Sequence, residues 1–171
     1  ELAGRAWEGG RFADDAGETG LCIGFGWPAL TQLSEGLDGI SASIRETLLH
    51  VRDSQDIWLK RFDGISPKEW PSFNGTREEL TAALRKSCDA LEEKVFSYDK
   101  KQLKQEVAYT TLKGISGNSP RYQMFAHVVN HGTYHRGQLV TMFREVGVTE
   151  IPGTDLITFF REQVSVKTRK K

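Results

Sequence analysis

The sequence predicts an all-α fold, a four-helix bundle with a crossover connection plus a short C-terminal helix. Three periodic stripes carry that prediction. Leu80, Leu84, Cys88, Leu91 and Val95 recur at spacings of four, four, three and four; Ile44, Leu48, Val51, Trp58 and Phe62 form a second stripe; and Met124, Val128, His131, His135, Leu139 and Met142 form a third. Each is the pattern of a helix with one apolar face.

The first forty residues or so fit least well. A helix from Glu1 to about Glu18 has Gly9-Gly10 in its middle, at a cost of about 1 kcal/mol per glycine relative to alanine. Gly20 to Pro28, with Phe25 and Trp27 among glycines, reads as irregular chain. The segment from Ser41 to about Phe62 opens with a capping box of Ser43 and Glu46, and Leu49 and Ile57 widen its apolar stripe. Asp63-Gly64 and Pro67 stop it. Thr76 with Glu79 opens the next helix in the same way. Between Tyr98 and Asn118, the run Val107-Ala108-Tyr109-Thr110-Thr111-Leu112, bounded by Gly114 and Gly117, predicts a short strand or an extended crossing loop. Such a crossover suits a bundle whose consecutive helices are not all hairpin neighbours.

Ser119 as N-cap and Pro120 at the first helical position start the third long helix, and Gly147 ends it. It should run about 27 residues, or roughly 40 Å. After Ile151-Pro152-Gly153, Thr154 or Asp155 caps a last short helix containing Leu156, Ile157, Phe159 and Phe160.

At 171 residues the chain has the length of one domain, taken here as 1–171 with a basic tail at 166–171. Lysine plus arginine equals aspartate plus glutamate at 23 each, so there is no basic field for nucleic acid. Cys22 and Cys88 are far apart and form no C-x-x-C pair, which suits a reducing cytoplasm; Cys88 lies on an apolar stripe as a small core residue. No apolar run reaches the ~20 residues that cross a bilayer. The expectation is a soluble cytoplasmic protein with neither a nucleic-acid nor a membrane partner.

Three of the four histidines, His127, His131 and His135, share one helical face at spacings of four. Residues four apart lie about 6 Å apart along the axis, so two imidazoles placed that way can close on one metal ion. The alternative is that they fill the bundle core, each satisfied by a carbonyl or an acid. A mononuclear catalytic site takes three protein ligands and keeps a position open. His50, inside the buried second segment, is the natural third, because opposite His131 and His135 it gains partners for its ring nitrogens. No H-E-x-x-H or E-x-x-H pattern marks a zincin or a carboxylate-bridged di-iron bundle.

The run His131-Gly132-Thr133-Tyr134-His135-Arg136-Gly137-Gln138, preceded by His127 and Asn130, resembles the signature of the DinB/YfiT-like superfamily of metalloenzymes. Ser43 to His50, followed by Asp56-Ile57-Trp58-Leu59, resembles that family's second helix with its metal histidine. The resemblance covers roughly residues 41 to 165. It implies a four-helix bundle of unusual connectivity, a site for one divalent metal ion on His50, His131 and His135, and a homodimer. Arg5 to Phe12 departs from the aromatic-rich pattern of the family's first helix.

His127 as a fourth ligand would close the site, so it is expected to support the ligands from outside or to lie in the core. Gln138 faces the site as a second supporting residue. Arg136 points about 100° away and is assigned to interhelical or dimer contacts. Tyr134 either borders the pocket or packs, with packing favoured. Glu46 and Asp53, one turn either side of His50, either orient its second ring nitrogen or are solvated charges, with solvation favoured.

By resemblance, the activity is a metal-dependent transfer or isomerisation of a small-molecule substrate, using a low-molecular-weight thiol such as bacillithiol or mycothiol. A free thiol has a pKa near 8.5, and a divalent cation deprotonates it at neutral pH. Zinc and nickel head the candidate metals, with iron and manganese next. The competing readings are a metal-dependent hydrolase and a stress-associated, metal-binding dimer without catalysis.

Overall fold

A computed structural model describes residues 42–151, 153–157 and 161, with the backbone alone at 11–13 and 19–21. Arg11–Ala13 (β1) pairs antiparallel with Thr19–Leu21 (β2). The helix expected over 1–18 is therefore not formed at 11–13. Asp14, Asp15 and Gly17 between the strands are turn formers, and Gly9-Gly10 penalises the helical alternative. The rest of the first forty residues, Cys22 included, lies outside the described residues, as does the basic tail.

Four helices and a second hairpin follow. They are α1 (Ala42–Arg61), α2 (Arg77–Phe96), α3 (Lys100–Lys104), β3 (Glu106–Thr110), β4 (Ser116–Pro120) and α4 (Arg121–Glu145). The described chain is mostly helical, but only three of its helices are long, and the two hairpins depart from the all-α expectation.

Helix α1 packs against both α2 and α4. Ser43 does not cap it: the residue is already helical, and its carbonyl accepts from Thr47 Oγ1 at 2.8 Å. Helix α2 is capped as expected, with Glu79 N donating to Thr76 Oγ1 at 3.2 Å and Thr76 N to Glu79 Oε2 at 2.6 Å. Asp99 and Gln102 make the same reciprocal pair for α3, a helix the apolar periodicity did not reveal because it spans little more than one turn.

The segment read as a strand or crossing loop is one arm of the β3–β4 hairpin, with Val107 opposite Ser119 and Tyr109 opposite Gly117. Ser119 is thereby committed to the ladder and is not the N-cap of α4. That position falls to Pro120, which has no side chain to offer. The far end behaves as expected. Gly147 adopts φ 88°, its N–H bonds the Arg144 carbonyl, and Val148 N–H bonds that of Phe143 at 2.9 Å, the two-bond termination that glycine favours. Leu156, Ile157 and Arg161 have helical backbone where the last short helix is expected.

Two buried clusters give the helix directions. Ile44, Leu48 and Val51 meet Leu80, Leu84 and Cys88 of α2 and Leu139 and Phe143 of α4. Phe62 meets Leu91 and Val95 of α2 and Met124, Phe125 and Val128 of α4, with the Phe62 and Phe125 rings stacked at 3.8 Å. Early residues of α1 thus contact early residues of α2 and late residues of α4. Helices α1 and α2 run parallel, and α4 runs antiparallel to both. The crossover is therefore the 62–76 connection, not the 98–118 segment, which joins two ends that already lie together. That connection is tied near its start by Thr110 N donating to Ser66 Oγ, and at its end by Arg45 Nη2 donating to the Gly75 carbonyl at 2.7 Å. Its path spans the length of α1, past His50.

Candidate metal centre

Helix α1 turns Ile44, Leu48 and Val51 into the core, which leaves His50 half-buried on the edge facing α4. On α4, His131 and His135 are one turn apart between buried Val128 and Leu139. The antiparallel packing of α1 and α4 brings the three together. His50 Nε2 lies 3.2 Å from His131 Nε2, which lies 3.1 Å from His135 Nε2. The rings of His50 and His135 stand 4.8 Å apart, nearly edge to face.

These distances suit a metal ion. Zinc–nitrogen bonds of 2.0–2.1 Å in a tetrahedral shell separate the nitrogens by about 3.3 Å. Three Nε2 atoms this close are otherwise poorly matched, since each neutral imidazole nitrogen either donates or accepts. His50, His131 and His135 form the one cluster of three or more histidine, cysteine or acidic residues among the described residues able to hold such an ion, and no carboxylate belongs to it.

The electrostatics point the same way. Burial, and then the neighbouring His135, His50 and His127, push the His131 imidazole down to about 4. Burial and His135 lower His50. Burial also lowers His135, opposed in part by the Gln138 side chain. At neutral pH the metal-free cluster is uncharged, the protonation state that ligation needs. His135 Nδ1 is buried without a hydrogen-bond partner.

The surroundings modify several expectations. His127 is outside the cluster: it is exposed, its ring lies 6.0 Å from that of His131 and 4.9 Å from that of Trp58, and it is not a core residue. Gln138 is half-buried and donates from Nε2 to the Tyr134 hydroxyl at 3.0 Å. Tyr134 does not pack. It is 63 % exposed with its ring 5.1 Å from that of His135, because its place on α4 faces outward beside the cluster. Asp53 is buried rather than solvated, paired with Arg52 at 2.6 Å, since α1 is covered on two sides; Glu46 is exposed as expected. Arg136 is buried and donates to Thr133 Oγ1 at 2.7 Å, within its own helix. Cys88 is a core thiol.

Sequence reasoning missed Trp70. Its half-exposed indole, in the crossover, stands 5.3 Å from the His50 ring and forms a wall of the site opposite α4. A tryptophan flanked by Glu69 and Pro71 in a polar loop was the available signal, since an exposed aromatic in a connection is more often functional than structural.

Comparison with known proteins follows the same lines. The chain is 26% identical over 125 residues to protein DinB of Bacillus subtilis strain 168, covering 68% of this chain and 72% of that protein. Among solved structures, the DinB-like protein YjoA of Bacillus subtilis superposes with a TM-score of 0.56 at 16% identity, over 78% of this chain and 94% of that one. A DinB-like protein of Bacillus cereus ATCC 10987 gives 0.54 at 16% identity, over 77% and 91%. These two share the fold. Residues 32–167, which contain the crossover and all three histidines of the cluster, match the sequence profile of the DinB family, and the chain belongs to that family.

Proposed function

We propose that the protein is a divalent-metal-dependent enzyme that transfers or isomerises a small molecule with the help of a low-molecular-weight thiol. The observation that carries this reading is the convergence of three neutral imidazoles with Trp70 and Tyr134 beside them and, among the described residues, no further ligand. His50, His131 and His135 hold the ion, with zinc or nickel suited to an all-nitrogen set. A divalent cation held by three neutral ligands keeps its full charge and lowers the pKa of an incoming thiol enough to give a nucleophile at neutral pH.

The chain's own residues supply position and shape. Trp70 shields the His50 side from water. Tyr134 and Gln138, bonded to each other, border the His135 side and fix its rim. His127 and Trp58, ring against ring, flank His131. A hydrolase needs a base to take a proton from water, and no carboxylate joins the cluster among the described residues. That favours a thiol, which gives up its proton more readily.

Metal analysis of tag-free protein tests the reading. About one equivalent in the wild type, little in His135→Ala, and a cobalt spectrum perturbed by added thiol in the cobalt-substituted protein support it. No metal in the wild type, and none taken up from added zinc or nickel, sinks it. A full equivalent whose spectrum ignores thiols leaves the non-catalytic, metal-binding dimer as the better reading.

A further inference from the structure

In the last turn of α1, Arg61 is only 6 % exposed, and no carboxylate pairs with it among the described residues. Its Nη2 donates to the Thr110 carbonyl at 3.3 Å. Its guanidinium carbon lies 4.7 Å from the centre of the Trp58 ring and 5.7 Å from that of Tyr109. Its Nε is buried without a hydrogen-bond partner. Aromatic faces offset only part of the loss of water around a buried cation, so a buried arginine normally has an anion beside it. Burial accordingly lowers its pKa from the ordinary arginine value.

Arg61 lines a cavity of about 220 Å³ together with Ser54, Ile57, Trp58, Trp70 and Lys113. Lys113, from the β3–β4 turn, adds a second positive charge, and no acidic side chain is among the described lining residues. Trp70 belongs both to this cavity and to the wall of the histidine cluster. Along α1, His50, Ser54, Trp58 and Arg61 follow at spacings of four, four and three, one stripe of the helix that covers about 16 Å from end to end.

We propose that this cavity seats a carboxylate of the same small molecule whose other end reaches the three histidines. The proposal rests on the metal-site reading and specifies its substrate class: an elongated molecule with a metal-binding head and a carboxylate on the order of 10 Å away, a span bounded by the stripe of α1. A guanidinium grips a carboxylate through two parallel N–H donors, and Arg61, desolvated with no anion beside it among the described residues, is the cavity-lining cation that such a carboxylate would neutralise. Walls built from the flat rings of Trp58 and Trp70 suit a planar carboxylate better than a tetrahedral phosphate.

The test has two arms. In the first, the Arg61 Nε–H and Trp70 indole N–H resonances of metal-free wild type are followed by nitrogen-15 NMR as hexanoate, and separately hexan-1-ol, is added. Hexanoate should shift both saturably and the alcohol neither; equal responses, or none, overturn the proposal whatever the metal does. In the second, calorimetry compares 6-mercaptohexanoate with 6-mercaptohexan-1-ol on the zinc-loaded protein. The acid should bind about tenfold more tightly, the scale of a charge-assisted pair. Lys113→Ala should narrow that preference and Arg61→Gln abolish it, while an undiminished preference in Arg61→Gln overturns the assignment. Hexanoate binding without either thiol binding keeps the carboxylate site and removes the thiol reading.

Discussion

The Trp70 indole stands 5.3 Å from the His50 imidazole, with 56° between the ring planes, although Trp70 lies in the crossover and His50 in the middle of α1. A tryptophan this close to a metal ligand reports on the ion. In a Trp58→Phe background, which removes the other indole beside the cluster, copper(II) bound among the three Nε2 atoms should quench Trp70 emission, and adding Trp70→Phe should remove most of the quenching. Because the indole is half-exposed and donates nothing to the cluster, affinity should stay within about twofold, the ordinary range for a surface change. A fluorescence titration in which the double variant is quenched as strongly as its Trp58→Phe parent would put the metal elsewhere.

His131 is the middle member of the cluster, 3.2 Å from His50 Nε2 and 3.1 Å from His135 Nε2. Losing it removes one donor and the spacing of the other two. Competition against a chromophoric chelator should therefore show His131→Ala weakening metal binding by more than about a hundredfold, beyond the 10–100-fold typical of residues that only support ligands. His127→Ala, whose ring is 6.0 Å from that of His131, should fall inside that lower range. Equal losses in the two variants would mean that a fourth imidazole closes the shell.

The ligand face was legible in the sequence because four-residue spacing is a property of one helix, fixed before any packing is known. His131 and His135 follow from it directly, and His50 follows from the cost of burying a lone imidazole in α1. The chain direction was not legible. Periodicity says which face of α2 is buried but not which end of α1 it meets, so the sequence points to a crossover at 98–118 where the structure has it at 62–76. Trp70 was lost with it, since its proximity to His50 exists only once the connection runs back along α1. Local chemistry misled in one place as well: Ser119-Pro120 has the composition of a helix start, yet pairing of Ser119 with Val107 claims the serine for the ladder. Arg61 lies in the basic last turn of α1, and nothing in a sequence shows that a cation is desolvated.

Stability of the metal-free protein should decline on both sides of neutrality. On the acid side, His131 has a folded value of about 4 against an ordinary 6.5. Above pH 6.5 the imidazole is neutral folded and unfolded, and its shift costs nothing. As pH falls from 6.5 towards 4, the unfolded chain binds a proton that the folded chain refuses, so stability is lost across that window. The loss should be on the order of 1–2 kcal/mol after allowance for solvent screening. On the alkaline side, burial pushes the Cys88 thiol from 9.0 up to about 12, so stability present below pH 9 should decline as the unfolded thiol ionises first. Urea unfolding between pH 4.5 and 8 should show the acid slope in wild type and a shallower one in His131→Ala; identical slopes would remove the cluster as its cause. Cys88 should also resist alkylation at pH 8 until urea unfolds the chain.

Within the turn that follows His50, Arg52 Nη2 lies 2.6 Å from Asp53 Oδ1, both side chains buried, and Arg52 Nη1 donates to Asp56 Oδ2 at 3.3 Å. The Arg52 guanidinium also lies 4.8 Å from the centre of the Phe73 ring, which fastens the end of the crossover to α1. Burial raises the Asp53 carboxyl above its usual range despite the opposing pull of Arg52. Asp53 is thus a carboxylate that depends on its partner to stay ionised inside the fold. Arg52→Ala strands it and should cost about 3 kcal/mol at pH 7, the lower end of the range for breaking a buried pair. Adding Asp53→Asn removes the stranded charge and should recover about half of that cost, a coupling measurable by urea unfolding of the two single variants and the double. Lowering the pH should shrink the cost in Arg52→Ala as Asp53 takes up a proton. A cost below about 1 kcal/mol at pH 7 would mean that the pair behaves as an exposed one and that Asp53 keeps its water.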